Sequence, residues 1–402
     1  MSHSYTEFIP TQDCAQRQLN VVDPVAYART RNMLEGAVTR LSPYITHGFL
    51  TLPEILLAVH SREPVTIQHK FVYELAWREY FHHVWTRAGD AIFDSLHEGP
   101  LPDSVYLREL PTDIREARTG VPAIDQAVRG LYENGYVHNH ARMWLASYIV
   151  HVRRVHWRAG ADWLYAHLID GDLASNHLSW QWVAGTGSSK PYLFNAENVA
   201  KYAPQSWRSE GSAIDLSYDA LDTIARGGKT PSLRAHAAGL DEPDLLHMPP
   251  SEFMFAAPNP EIVVGRMVYL VHPWSLGAIS KPLPADAVIV AIIDTDFHKR
   301  WAWNSSRWRF VCERMAALTP HRWVGDSASL YAVLASAKVV HGRDDPHLSD
   351  PLRLPTLSPP ARLFESPKMR CHSFSKFWTK ATGNVSSIDS LLHGVNGSNS
   401  DR

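Results

Sequence analysis

The sequence predicts two architectures in series: a large all-α domain, then a small α/β domain built on a parallel, Rossmann-like sheet. Three observations predict it. Over residues 25–200 apolar residues recur at helical spacing with no convincing strand. Over 205–260 glycines and prolines break the pattern, and beyond 260 continuous β-branched runs alternate with helical ones. The chain has 402 residues, 45% of them hydrophobic and 20% charged, which is length for two or three domains and enough apolar content for cores.

The elements follow in order. Thr51-Leu-Pro-Glu begins a helix through His60, with threonine as cap and an early proline. The next spans 67–87, where Phe71, Leu75, Trp77, Phe81 and Trp85 form a broad apolar stripe. A shorter helix over 120–132 stops at Asn134-Gly135. A longer one covers 138–157, and another 161–169. Beyond the linker, 266–271, 287–293 and 338–341 read as buried parallel strands, with helices at 306–318 and 327–337 between them. The expected domains are therefore an all-α domain at 1–204, a linker or wrapping segment at 205–260, an α/β domain at 261–345 and a tail at 346–402. That tail is proline-rich, then rich in Gly, Ser and Asn, and is expected to fray.

Several function classes are excluded. Lys and Arg number 39 against 41 Asp and Glu, a formal net charge of -2, so nucleic-acid binding has to come from a local patch. Cys14, Cys312 and Cys371 lie far apart with no CxxC spacing, against a disulfide scaffold or a four-cysteine cluster and in keeping with a reducing cytoplasm. No apolar run approaches the roughly 18 residues of a membrane span. His82-His83 and His138/His140 lack the carboxylate or cysteine that would complete a metal site, so no metal is expected. The 14 tryptophans nearly equal the 15 tyrosines and exceed the 13 phenylalanines, a hint of ring stacking on a cofactor or base.

Four segments carry polar groups at chemically useful spacing. Asp170-Gly-Asp172 sets two acceptors around a glycine that lets backbone approach a ligand, and Asn176, Trp180 and Trp182 follow. The plainer reading of the aspartates alone is a helix-capping turn. Glu74, Trp77, Arg78 and Phe81 share one helical side, where an acid and an indole can meet a nucleobase, although a core Trp with solvated charges is the commoner arrangement. Asn139, Arg142 and Met143 sit at the first turn of a helix, where a capping Asn and a surface Arg would be ordinary. Thr39, Arg40 and Ser42 follow Gly36 and could cradle a pyrophosphate, or simply start a helix.

Together and in this order, these segments resemble the FAD-binding domain of the photolyase/cryptochrome family, over about 23–204. The matching motifs are Tyr27-Ala-Arg-Thr-Arg31, Thr39-Arg-Leu-Ser-Pro43, Glu74-Leu-Ala-Trp-Arg-Glu-Tyr80, His138-Asn139, Arg142-Met143, Asp170-Gly-Asp172, Asn176 and Trp180-Gln-Trp182. They are most similar to those of bacterial cyclobutane-dimer photolyases. The resemblance implies that Tyr27, Thr39, Arg40, Leu41 and Ser42 hold the FAD phosphates, with Phe71 against the folded cofactor. It implies Asp170, Gly171 and Asp172 at the ribityl and flavin region and Asn176 by the flavin N5. Glu74, Trp77, Asn139, Met143 and Trp182 would line the pocket for a flipped-out lesion. Trp180 and Trp157 match the first two members of an electron-transfer chain whose third tryptophan is missing, with Tyr106 the nearest aromatic. A positive track of Arg31, Lys70, Arg78, Arg142, Arg153 and Arg154 would hold DNA phosphates.

The implied function is light-dependent splitting of cyclobutane pyrimidine dimers in UV-damaged DNA, by a cytoplasmic protein expected to be a monomer. The alternatives are a cryptochrome-like blue-light photoreceptor and repair of the six-four photoproduct, the latter disfavoured because Asn139 and Met143 stand where histidines would be expected. The familiar order puts an α/β antenna domain first, whereas here the α/β segment follows. It is either a permuted antenna-type domain or an unrelated appendage, and no second chromophore is assigned to it.

Overall fold

The computed structural model describes residues 8–231, 238–279 and 282–392. It divides into two compact units interleaved in sequence: one from 8–21, 39–62 and 244–363, the other from 22–38, 63–243 and 364–392. The expected boundaries at 204, 260 and 345 follow changes in texture. The units instead follow contacts, which carry the 39–62 stretch into the α/β unit and split the expected tail at 363/364, leaving 346–363 in the α/β unit and placing the described part from 364 in the helical one.

The helical unit opens with α1 (Pro24–Thr30), where Asp23 accepts from the Ala26 N–H and proline occupies the first turn. In α2 (Lys70–Ala88) Phe71, Val72, Leu75, Ala76, Tyr80, Val84 and Trp85 are buried. Helix α3 (Pro122–Asn134) ends at Gly135, whose φ of 60° is left-handed and where a Cβ would lie 2.6 Å from Ile169. The single helix expected over 138–157 is broken. An α-helix, α4 (Asn139–Ser147), runs into a π-helical turn at Tyr148–Val152, and Arg154 then turns left-handed at φ 51°. The chain leaves the helix there because Leu107 and Val155 pair as a β-bridge. Helix α5 (Trp157–His167) therefore starts at Trp157, capped by His156, which accepts from the Arg158 N–H. Helix α6 (Leu173–Ala184) is capped by Asp172 and stopped by left-handed Gly185. α6 packs on α5 at Gly160, where a Cβ would come within 2.4 Å of the Trp180 ring. The surrounding core includes Ile124, Val128, Leu131, Trp144, Ile149, Leu164 and Trp180.

In the other unit Thr51 and Glu54 close a capping box on helix Leu52–Arg62. Four parallel strands form the sheet: β1 (Met267–Val271), β2 (Val288–Asp294), β3 (Arg322–Gly325) and β4 (Val339–Gly342), in spatial order β3-β2-β1-β4. Val268 on β1 faces Val288 on one side and Val340 on the other. Helices α7 (Ser305–Leu318) and α8 (Ser327–Leu334) lie between strands in sequence, as expected. β3 was not expected, because its four residues hold one fully buried apolar side chain, Trp323, too little for a run to show.

The tail departs most from expectation. Helix α9 (Phe374–Thr382) buries Phe374, Phe377, Trp378 and Ala381, an i, i+3, i+4, i+7 stripe that a proline-rich setting conceals. The Gly/Ser/Asn-rich end, 393–402, lies outside the described residues. Among the described residues no helix is long and apolar enough to cross a membrane, and no group of three or more His, Cys, Asp or Glu could hold a metal ion.

Candidate flavin and lesion site

In the helical unit a cleft is lined from α4, α5, α6 and the turn before α6. Eight residues singled out from sequence line it: Asn139, Arg142, Met143, Asp170, Gly171, Asp172, Asn176 and Trp180. Local folding explains the convergence. Asn139, Arg142 and Met143 occupy one side of the first turn of α4, and the Asp-Gly-Asp turn sits where α6 begins.

The charges here are organised in pairs. Arg142 grips Asp170 with two bonds of 3.0 and 2.8 Å, and the Arg142 Nε donates to the Val137 carbonyl at 2.7 Å. The Asp170 side chain is 2% exposed. Asp172, 1% exposed, receives Arg78 at 3.1 Å and His82 at 2.9 Å on one oxygen and the Ser175 N–H at 2.8 Å on the other. It thus ties α2 to the start of α6. The capping turn read as the plain alternative is present and is at the same time a wall of the cleft. His82 was not expected here, yet its place one turn beyond Arg78 on α2 is a signal that could have found it.

A second group forms where α1 meets α2. Tyr27 and Phe71 meet edge to face at 5.7 Å, and Arg31 reaches Glu74 at 3.3 Å. Burial raises the Glu74 carboxyl above the usual range, opposed by Arg31, and burial beside Glu74 raises the Tyr27 hydroxyl. Glu74 and Trp77, with Tyr27, Phe71 and Trp182, are not among the residues lining the cleft. Trp182 packs against Tyr192 at 5.7 Å.

The expected positive track is largely engaged within the chain. Arg31, Arg78 and Arg142 hold carboxylates, Arg153 holds Asp113 with bonds of 2.7 and 2.9 Å, and Arg154 donates to the Gly228 carbonyl. Lys70 lies over the Tyr73 ring. Partly buried guanidiniums require carboxylates, and a reading of cations alone does not see those partners.

Of the electron-transfer pair, Trp180 packs against Gly160, one turn along α5 from Trp157, and the Trp157 N–H donates to Ser95. The phosphate candidates Thr39, Arg40, Leu41 and Ser42 belong to the other unit. There Leu41 is buried, Arg40 is left-handed at φ 51° with its guanidinium over Phe8, and the Thr39 carbonyl accepts from Gln18.

Residues 71–212 match the family model described as the FAD binding domain of DNA photolyase. This segment of the helical unit is thus similar to the FAD-binding domain of DNA photolyases. The chain is 32% identical over 224 residues to a deoxyribodipyrimidine photo-lyase of Streptomyces griseus, a stretch covering 52% of this chain and 46% of that one. It is 38% identical over 184 residues to the deoxyribodipyrimidine photo-lyase of a Synechococcus, covering 42% and 37%. It is also 31% identical over 208 residues to a cryptochrome DASH of Idiomarina loihiensis, covering 49% and 46%. The chain thus spans less than half the length of each of these relatives.

FAD is the cofactor of this domain type, and the cleft suits it on its own chemistry. The Ser175 hydroxyl is buried on the cleft wall with no hydrogen-bond partner, and Asn176 is held by donating to the Ala161 carbonyl at 2.8 Å. Two clamped carboxylates, a tryptophan and the apolar Ala146, Leu164, Leu168 and Val183 complete a lining of mixed polar and apolar side chains, as a flavin ring requires.

Proposed function

We propose that the protein is a light-driven DNA lyase acting on cyclobutane pyrimidine dimers, with a flipped-out dinucleotide brought to the domain's flavin. The observation that carries this reading is the cleft that gathers Asn139, Arg142, Met143, Asp170, Gly171, Asp172, Asn176 and Trp180. Bound FAD in its reduced form supplies an electron on illumination. The chain's own residues do the rest. Asp170 and Asp172, fixed by Arg142, Arg78 and His82, orient the ribityl and ring edges, and Asn176 presents its amide at the ring. Tyr27 is the residue of this unit assigned to the phosphates.

Glu74 serves the lesion. Burial raises its carboxyl above the usual range against the pull of Arg31, and once a bound lesion displaces Arg31 the protonated carboxyl would donate a hydrogen bond to a carbonyl gaining charge. Asn139 and Met143, which line the cleft, would meet the bases there, Trp77 and Trp182 would reach them from outside its lining, and Trp180 and Trp157 would be the residues through which electrons reach bound FAD. On this reading the protein works as a cytoplasmic monomer on UV-damaged DNA.

One observation favours a second reading, a blue-light photoreceptor. Most of the basic residues expected to hold DNA are already paired, and some of the relatives are named cryptochrome DASH. The test is illumination of the purified yellow protein in reductant with a thymine-dimer oligonucleotide. Dimer loss that disappears in Glu74→Ala or Asn139→Ala supports the lyase, and dimers left intact by a flavin-loaded protein refute it in favour of the sensor.

A further inference from the structure

His177 stands on α6 between Asn176 and Trp180, which both line the cleft, but its own ring is fully buried and bonded to α5. Both ring nitrogens meet oxygens that can only accept. Nδ1 lies 2.8 Å from the Leu173 carbonyl and Nε2 lies 2.8 Å from an Asp162 carboxylate oxygen. Arg158 donates to that same Asp162 oxygen at 2.6 Å, so the oxygen is already committed as an acceptor. The three bonds are satisfied together only when His177 carries a proton on each nitrogen, as an imidazolium. Desolvation works against that state and lowers the His177 pKa, while Asp162 pulls the other way. The second proton is thus held between opposing forces, and Asp162, whose side chain is 42% exposed, gives it a way out to water. Asp162, Arg158 and Tyr165 of α5 are the charged and titratable groups facing the ring, and the 89–93 stretch presents Phe93 at 5.0 Å.

The Trp157 ring lies edge on to His177, at 84° and 6.5 Å between centroids. We propose that His177 is a positioning residue that governs electron supply through Trp157: with its second proton in place the ring resists a positive charge on the indole, and without it the indole yields an electron readily. The proposal rests on the reading of Trp157 and Trp180 as the residues through which electrons reach bound FAD. The step it governs is a one-electron transfer, in which Trp157 is oxidised and a Trp180 ring already short of one electron is restored. No bond to hydrogen breaks, because the Trp157 N–H stays donated to Ser95 at 3.0 Å. A soluble thiol, itself oxidised, later returns the electron to Trp157. Loss of the His177 proton leaves the neighbourhood one unit charge more negative, however Asp162 and Arg158 share theirs, so the sign of the effect is fixed. The same pair has a second use: His177 on Asp162 and Asn176 on the Ala161 carbonyl join adjacent residues of α6 to adjacent residues of α5, the two helices that carry Trp180 and Trp157.

The test uses the full chain loaded with oxidised FAD. Photoreduction under blue light with a thiol is followed as loss of flavin colour from acid to neutral pH, and nitrogen NMR of the histidine side chains is recorded in the dark over the same range. In wild type the rate should rise about tenfold as His177 loses its proton, on the acid side of its ordinary value of 6.5. His177→Asn should lack that step and keep the neutral-pH rate throughout, with the same thiol in both samples so that its own pH dependence cancels. Asp162→Asn should move the step to lower pH, since the imidazolium loses its carboxylate, and it decides the matter should the His177 variant fail to fold. The NMR signals of His177 should show both nitrogens protonated at the acid end and one at neutral pH. Rate profiles that superimpose for wild type and His177→Asn, or His177 signals that do not change over the range, overturn the proposal. If Trp157→Phe still slows photoreduction in that case, the reading of Trp157 stands and the part given to His177 alone is lost. Photoreduction indifferent to Trp157→Phe removes that reading, and the proposal with it.

Discussion

Replacing Arg142 with methionine keeps much of the side chain's volume and removes the cation from Asp170. The structure fixes what is lost. Two charge-assisted bonds of 3.0 and 2.8 Å disappear, and a carboxylate 2% exposed is left in the wall of the cleft without its guanidinium. Breaking a buried pair from one side costs about 3 kcal/mol, or a fall in melting temperature of roughly 6–12 °C for a unit of this size. Thermal unfolding followed by circular dichroism reads this directly, and flavin content after purification reads the effect on the site. The double variant Arg142→Met/Asp170→Leu should recover most of the lost stability, because the stranded charge goes too, while flavin retention stays low. A single variant that melts within about 2 °C of wild type would show that the pair is solvated and does not shape the cleft.

Gly160→Ala, ordinarily favourable inside a helix, should destabilise by about 1–3 kcal/mol because the new methyl meets the Trp180 ring at 2.4 Å, and urea unfolding checks the sign. His151 is buried, with its pKa lowered to about 4 mainly by desolvation. Its contribution to stability is therefore complete above the unfolded value of about 6.5 and is lost as pH falls toward 4. Urea midpoints at neutral and mildly acid pH should converge in His151→Gln relative to wild type, and an unchanged pH dependence would refute this. Glu74→Ala should lower dimer splitting by about a hundredfold and Glu74→Gln by less, since glutamine still donates a hydrogen bond. In wild type the splitting yield should fall as rising pH deprotonates Glu74, and a yield flat across that range removes its role as donor.

The cleft was legible because its residues come from short, dense motifs. Asp170, Gly171, Asp172, Asn176 and Trp180 lie within 11 consecutive positions, and Asn139, Arg142 and Met143 share one helical turn. Partners distant in chain were not legible. Nothing local in Arg78 or His82 announces Asp172, more than 85 residues away. The strands β1, β2 and β4 showed as continuous apolar runs, whereas β3 had Trp323 alone to declare it. The break between α4 and α5 was hidden because 138–157 keeps its apolar content through the turn, and the interruption depends on the bridge to Leu107. The tail's amphipathic helix was masked by its surroundings: composition averages over a window, and four ring or methyl anchors at helical spacing need only nine residues.

Helix α2 faces two ways at once. Through Arg78 and His82 it grips a carboxylate in the cleft wall, and through Tyr73 and Trp77 it receives α9. A rigid rod of 19 residues cannot shift at one of these attachments without carrying the other with it. The Asp172 wall of the cleft and the docking of α9 are consequently two ends of one lever, so a substitution at Tyr73 or Trp77 should be felt in the cleft as well.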